Sequence, residues 1–392
     1  MTTLGELGEH GVLERILAVL RRAGTDPRVR VGPGDDAAVT AHSGDLVTTT
    51  DMLLEGHDFL TAWLDPHRLG IKAAAQNLAD VCAMGAVPES LVVSLAAPDD
   101  TPVDVLTGIM GGLAEEAARA GATVTGGDLS GGPCLIVSVT ALGSLPAGRA
   151  PVLRSGARPG DAIVLAGTVG RAAAGLDLLF DAVERGGARP RQTIAEAVAG
   201  SAGSAPGTAA LVETQRAPRP RYAASAALAE VATSMIDVSD GLLGDLGRIA
   251  RASGVRADLD PEALTALAED LLPAAAALGR PAHAAVDWVL TGGEDHGFLA
   301  TVPAGTAEAS GAAGATGGTS VPWVRIGTVL AAADGEEHAG VGAVAVGGRE
   351  ARGEAFAHFG GSRSTGGAEG HVRTTTQHST TVRTAGSTGE GE

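Results

Sequence analysis

RLGIKAAAQNLADVCAM (68–84) predicts a helix with two unlike sides. Ile71, Ala75, Leu78 and Cys82 recur at spacings of four, three and four, an apolar stripe suited to packing on a core. Asp80 lies nearly opposite that stripe, flanked by Gln76 and Asn77, so the helix offers a carboxylate to whatever lies beyond it. Upstream, DLVTTTD (45–51) is a β-branched strand running into Asp51, and VGPGDDAAV (31–39) is a Gly-rich turn with two acids. Leu13, Ile16, Leu17 and Leu20 mark an N-terminal helix ending near Gly24. Downstream come a strand in SLVVSLAA (90–97), a helix over 103–120, a strand ending in Gly126-Gly127-Asp128, and the strand CLIVSVTALG (134–143). The turn-rich PAGRAPVLRSGARPGD (146–161) sets a domain boundary near residue 150. Beyond it, AIVLAG (162–167) reads as a strand, 170–184 as a helix, and SMIDVSDGLLGDLGRIA (234–250) as strand, turn and helix. WVLTGGEDHGFLATV (288–302) reads as two strands joined by a Gly-Gly-acid turn, while 186–216 shows no pattern. Strands and helices alternate in both halves, which predicts an α/β or α+β protein with domains 1–150 and 151–359. Residues 360–392 are dominated by Ser, Thr, Gly and His, a tail expected to be disordered.

Composition narrows the function. The 392 residues carry a net charge of −18, so nothing here neutralises a nucleic-acid backbone. Aromatics are 2%, and the core must come from Ala, Val, Leu and Ile. Lys72 is the sole lysine, between Ile71 and Ala73, which excludes the Gly-Lys-Ser/Thr phosphate loop. The Gly-x-Gly at Gly32 and Gly34 lacks a third glycine, since Ala37 stands there, and no strong strand precedes it; a dinucleotide fingerprint is rejected. Two cysteines, no signal-peptide pattern and no apolar run of membrane-spanning length lead us to expect a cytoplasmic protein with no membrane partner.

The acids carry the chemistry. Asp35, Asp36, Asp51, Asp128, Asp237, Asp240, Glu294 and Asp295 are all expected at turns where strands end, most beside Gly or Thr. Any one of them could be a turn-former or a helix cap. Together they match the ligand position of open sheets, beyond the strands' carboxyl ends. Convergent carboxylates in a cleft need cations. An oxygen-only donor set, with Thr49 and Thr50 hydroxyls, suits Mg²⁺ rather than Zn²⁺, and Mg²⁺ held this way leaves positions for phosphate oxygens. Metal-assisted phosphoryl transfer is the reaction class expected.

GPGDDAAV (32–39), TTTDMLLEG (48–56), KAAAQNLADVCAMGAVP (72–88), TGGDLS (125–130), LRSGARPGD (153–161), IDVSDGLLGDL (236–246) and LTGGEDHGFL (290–299) occur in the order found in the thiamine-monophosphate kinase family. The chain resembles that family, of the aminoimidazole-ribonucleotide-synthetase-like (PurM-like) superfamily, from about residue 5 to 359. The resemblance implies two α/β domains, with N-terminal sheets pairing across a homodimer. It also implies ATP and thiamine monophosphate as partners, thiamine diphosphate and ADP as products, several Mg²⁺ ions, and K⁺ as a possible helper. By position, Asp36, Thr49, Thr50, Asp51, Asp80, Asp128, Asp237 and Asp240 are the implied metal ligands. Gly127, Asp128, Arg154 and Ser239 are the implied ATP contacts, and Glu294 and Phe356 the implied thiamine-side contacts.

The sequence departs from the family where a His usually precedes Phe after the TTTD strand. Here Phe59 follows Asp58 and the histidine is His57, so either Asp58 takes that substrate contact or the loop presents His57. Met110 stands where an aromatic is sometimes found near adenine. The acceptor is itself a phosphate monoester, mostly dianionic at neutral pH, so no general base is required. This agrees with the absence of a convincing His–acid pair in the sequence. The rival readings are another PurM-like ATP-dependent enzyme, of the aminoimidazole ribonucleotide synthetase or selenophosphate synthetase type, and a non-catalytic nucleotide-binding paralogue.

Overall fold

The computed structural model describes residues 1–24, 26–33, 37–185, 206–306, 323–332 and 343–351. Asp35, Asp36, residues 186–205, Phe356 and the tail from 360 onward lie outside the described residues, so the expectations made for them have no counterpart below.

The first domain opens with helix α1 (Leu4–Ala23), the short pair β1 (Val29–Val31) and β2 (Val39–Thr40), then strand β3 (Leu46–Leu54) and helix α2 (Pro66–Ala83). Strand β4 (Val87–Ala97), helix α3 (Val103–Arg119), and strands β5 (Thr123–Gly131) and β6 (Ile136–Ser144) complete it. The sheet order is β3-β6-β4-β5, with only β4 and β5 parallel, joined through α3. Asp65 starts α2 by accepting the Arg68 N–H at 3.1 Å, with Pro66 at the first helical position, where a missing N–H costs nothing.

Helices α2 and α3 cross at backbone contact. A Cβ on Gly70 would lie 2.0 Å from the Ile109 carbonyl oxygen, and one on Gly112 would lie 1.9 Å from that of His67. Only glycine permits that approach. As a result α2 is not two-sided. Ala73, Ala74, Ala75, Asn77, Leu78, Ala79 and Val81 are all buried, because α2 packs on its own sheet, on α3 and on the second domain. The expected outward side of the helix faces a cleft.

The second domain contains a seven-stranded sheet in the order β13-β12-β9-β11-β7-β10-β8. Its strands are β7 (Ala162–Ala166), β8 (Ser234–Val238), β9 (Arg256–Leu259), β10 (Gly297–Val302), β11 (Val324–Leu330), β12 (Val344–Val346) and β13 (Arg349–Glu350). Its helices are α4 (Arg171–Arg185), α5 (Thr208–Arg216), α6 (Tyr222–Ala229), α7 (Leu242–Ser253), α8 (Pro261–Ala268), α9 (Leu272–Ala277) and α10 (His283–Thr291). Strands β7 and β10 are buried along their whole length and form the core of this half.

Three expectations change. Trp288 to Thr291 end helix α10 rather than form a strand; Ala284, Ala285, Trp288 and Val289 bury one helical face, and the short run Trp-Val-Leu alone fits either period. Strands β3 and β5 continue three residues past Asp51 and Asp128, so these acids sit within strands and not at their ends. Asp237 is likewise the next-to-last residue of β8.

The two domains are tied together around α5 and α6. Arg68 Nε donates to both carboxylate oxygens of Glu213 at 2.9 Å, and Arg216 Nη2 reaches Asp65 at 3.1 Å. Fully buried Glu116 on α3 receives Arg119, Arg219 (2.7 Å) and the Tyr222 hydroxyl (2.8 Å). Breaking such a buried network leaves a charge without a partner. Among the described residues, no helix is long and apolar enough to cross a membrane.

Candidate active site

A cleft of about 580 Å³ lies between the domains. Asp51, Asp58, Gln76 and Asp80 line it from the first domain; Arg154, Gln215, Asp237, Ser239, Asp240, Arg248, Glu294 and His296 line it from the second. Residues more than one hundred and fifty positions apart meet there because α2 carries Asp80 against β8, which carries Asp237.

At the acidic end, the Thr49 hydroxyl donates to Asp80 Oδ2 at 2.9 Å, and the Asp51 N–H donates to Asn77 Oδ1 at 2.9 Å. Burial, then the charges of Asp237 and Asp51, outweigh the Thr49 hydrogen bond and push the Asp80 carboxyl up to about 7. Buried Asp237 holds His296 Nδ1 at 3.0 Å. Burial opposes a charged imidazole, but the Asp237 hydrogen bond and charge, with Glu294 adding to them, keep His296 above its ordinary value. This is a His–acid pair where the sequence reading found none; fifty-nine residues separate the partners, and only the β8–β10 pairing joins them. Asp240 pairs with Arg248, which also grips Asp245. Asp245 is fully buried and receives the Ser239 and Asp240 N–H groups at 3.1 Å; burial pushes its carboxyl up to about 7.

Another part of the lining is apolar. Phe59, Leu60, Trp63, Leu176 and Phe180 line it, with the Trp63 and Phe180 rings edge to face at 5.1 Å between centroids. Three of the chain's nine aromatic residues (5 Phe, 3 Trp, 1 Tyr) converge here. Glu294 also lines the cleft, in a left-handed backbone conformation, φ 67°, with its N–H donating to the Ser239 carbonyl at 2.9 Å. Burial raises its carboxyl, but Lys72 and the Gln215 hydrogen bond bring it below its ordinary value. Asp58 and His57 both line the cleft, with Asp58 Oδ2 accepting the Leu54 N–H at 2.8 Å and Oδ1 lying 3.2 Å from His57 Nδ1.

Not every expected ligand joins this cleft. Strand register puts Asp51, Val139, Val93 and Gly127 in one row across the sheet, and Met52, Ser138, Ser94 and Asp128 in the next. Successive residues of a strand face opposite sides, so Asp128 and Thr50 lie on the face away from α2. Thr50 donates to the Val139 carbonyl at 3.0 Å and Asp128 is exposed; neither they nor Gly127 lines the cleft. A Cβ on Gly127 would lie 1.9 Å from the Val93 carbonyl oxygen, so strand packing already demands glycine there. Asp295 is buried: its carboxylate accepts the Arg171 and Ala172 N–H groups and the Thr168 hydroxyl, capping α4.

With this geometry in hand, comparison with known proteins is direct. AIR synthase related protein, N-terminal domain, matches residues 34–145, and its C-terminal domain matches 158–339. Thiamine-monophosphate kinase of Mycobacterium tuberculosis (strain H37Rv) is 44% identical over 309 residues, covering 77% of this chain and 84% of its own length. The chain belongs to the thiamine-monophosphate kinase family. The crystal structure of that family's enzyme from Stenotrophomonas maltophilia K279a superposes with a TM-score of 0.66 at 31% identity, over 86% of this chain and 96% of the other. A ThiL protein complexed with AMPPCP and TMP superposes with a TM-score of 0.64 at 28% identity, over 92% and 99% of the two chains. The two-domain PurM-like fold expected from the motifs is thus present.

Among the described residues, no group of three or more His, Cys, Asp or Glu side chains forms a metal cage by itself. The cleft still suits a hard cation. Its donors are oxygen, and the neighbouring carboxylates that push the Asp80 carboxyl up to about 7 are charges that a cation would offset. Sequence reading missed four side chains at this site: Lys72, Gln215, Arg248 and His296. A lone lysine within an alanine-rich helix was the one available signal; the others are brought in by folding alone.

Proposed function

We propose that this chain catalyses ATP-dependent phosphorylation of thiamine monophosphate, giving thiamine diphosphate and ADP by direct in-line transfer of the γ-phosphoryl group. The observation that carries the reading is one cleft lined by Asp51, Asp80, Asp237, Asp240 and Glu294 together with an aromatic wall of Phe59, Trp63 and Phe180. Such a cleft suits a ligand that is phosphorylated at one end and carries a flat heterocycle at the other. Family membership supports the same reaction.

Asp51, Asp80 and Asp237, with the Thr49 hydroxyl, would hold Mg²⁺, and Asp36, Thr50, Asp128 and Asp240 remain proposed ligands of further ions. Bound Mg²⁺ would supply the charge neutralisation that lets two anionic phosphates approach. The exposed Arg154 and the half-buried Arg248 add guanidinium donors suited to phosphate oxygens. Ser239, at the turn after β8, Gly127, in the sheet row of Asp51, and Asp128, on the opposite sheet face, are proposed ATP contacts. His296, bonded to Asp237, orients that carboxylate and is not needed as a base, because the attacking phosphate is already an anion. Asp58 or His57, and Phe356, are proposed on the thiamine side, and K⁺ as an activating ion.

The face bearing Asp128 also exposes Met52 (58%) and Val92 (38%), which supports a homodimer in which this sheet meets its copy. The domain limits proposed are 1–150 and 151–359. The enzyme is placed in the cytoplasm as part of this reading. An ADP-release assay with thiamine monophosphate, formylglycinamidine ribonucleotide and selenide in parallel tests it. Release with thiamine monophosphate alone is expected; release only with either of the others overturns the assignment.

A further inference from the structure

Lys72 is the only lysine of the chain and is 2% exposed. Its Nζ lies 3.0 Å from Glu294 Oε2 and donates to the Gln215 carbonyl oxygen at 3.1 Å. Gln215 Nε2 donates to the same Oε2 at 2.6 Å. Both bonds fall on one oxygen, while the Glu294 side chain is 38% exposed and lines the cleft. The Glu294 backbone sits at φ 67°, a conformation that a residue with a side chain adopts only when its surroundings enforce it. The Glu294 N–H donates to the Ser239 carbonyl at 2.9 Å, so the backbone is held as well.

Lys72 does not line the cleft, and its ammonium is spent on Glu294 and Gln215. It is therefore not a phosphate ligand, and any influence on a bound molecule passes through Glu294. On α2, Lys72 precedes Asp80 by eight residues, about 12 Å along the axis. The two side chains therefore act at different points along the helix.

We infer that Lys72 and Gln215 are positioning residues that clamp Oε2 of Glu294 and turn Oε1 toward the amino-bearing heterocycle of the phosphate acceptor. The inference rests on the function proposed above and adds a specificity device to it. A carboxylate oxygen fixed in this way attracts an amino N–H or a ring cation and repels a carbonyl oxygen in the same place. A site built to bond a donor rejects the analogue lacking it far more strongly than an apolar pocket would.

The test is steady-state kinetics with ATP and either thiamine monophosphate or its 4-oxo analogue, in which the ring amino group is a carbonyl. The proteins are wild type, Lys72→Met, Glu294→Gln and the double variant. In Lys72→Met the KM for thiamine monophosphate is expected to rise about tenfold, with kcat and the KM for ATP within about twofold. Wild type is expected to prefer the amino substrate about a hundredfold, and each variant to lose most of that preference. The double variant should match Glu294→Gln, since Lys72 has nothing left to position. If Lys72→Met fails to fold, the comparison of Glu294→Gln with the double variant decides, because neither contains an unpaired carboxylate. An unchanged KM in a folded Lys72→Met, a parallel rise in the KM for ATP, or a double variant restored to wild-type KM would overturn the inference. Wild type that leaves thiamine monophosphate unphosphorylated would overturn the functional reading itself, a separate result.

Discussion

Asp80 and Glu294 share one cleft, yet their carboxyl groups are driven in opposite directions. Asp80 is crowded by Asp237 and Asp51 and rises to about 7, whereas Glu294 has Lys72 and falls below its ordinary value. A half-buried acid with a resident cation is complete as it stands and can serve recognition. A half-buried acid surrounded by other acids is held at a cost to folding, which a bound cation would offset. Under the proposed function, this difference distinguishes an acid suited to recognition from acids suited to a cation.

The largest effects are expected at the proposed metal ligands. Asp51→Asn should lower kinase turnover at least about tenfold at saturating Mg²⁺, because it removes a charge from the cation site. Asp128→Asn is expected to do the same from the opposite sheet face. A normal rate in Asp128→Asn would confine the chemistry to the cleft face and break its assignment as a ligand.

Asp80→Asn should combine lost activity with gained stability. Between about pH 4 and 7 the folded protein binds the Asp80 proton more tightly than the unfolded chain does, so this group's contribution weakens as pH rises through that range. The metal-free variant should then melt about 4 °C or more above wild type at pH 8, with the gap closing at pH 5. Scanning calorimetry at both pH values checks this, and a variant that melts lower at pH 8 would mean that Asp80 is structural. By the same sign, protons compete with metal, so the Mg²⁺ concentration for half-maximal activity should rise from pH 8 to pH 6 in wild type.

The smallest effect sharpens the contrast within one motif. Asp295 adjoins Glu294 but caps α4, so Asp295→Ala should cost about 2 kcal/mol of stability while leaving the preference for the amino substrate intact. Loss of that preference would mean that the two neighbours act together.

Much of this was legible in the chain itself. The sequence patterns located α1 through α3 and the four strands β3 to β6 to within a few residues, but not the short pair β1 and β2. Asp80 was correctly read as lying off the apolar stripe of its helix. What periodicity did not reveal was where that side points, because the surface opposite it comes from β8, more than one hundred and fifty residues later. Nor did it reveal that Asp51 and Asp128 take opposite faces, since that depends on strand register across β6 and β4, which hydrogen bonding sets and composition does not record. Trp288 to Thr291 were misread because a short apolar run fits helix and strand alike. Lys72 was noticed as the only lysine and used solely to exclude a phosphate loop. Its partners Glu294 and Gln215 are far along the chain, and nothing local announces a buried ion pair. His296 and Asp237 meet for the same reason, through antiparallel pairing of β8 and β10.

The central claim is that acids from both domains jointly hold magnesium for phosphoryl transfer. The direct measurement is ADP formation from ATP and thiamine monophosphate across a Mg²⁺ titration, for wild type and the separate variants Asp80→Asn and Asp237→Asn. The account predicts Mg²⁺-dependent turnover in wild type, and a loss of at least about tenfold in each variant that excess Mg²⁺ does not restore. Wild-type rates in both folded variants would contradict it.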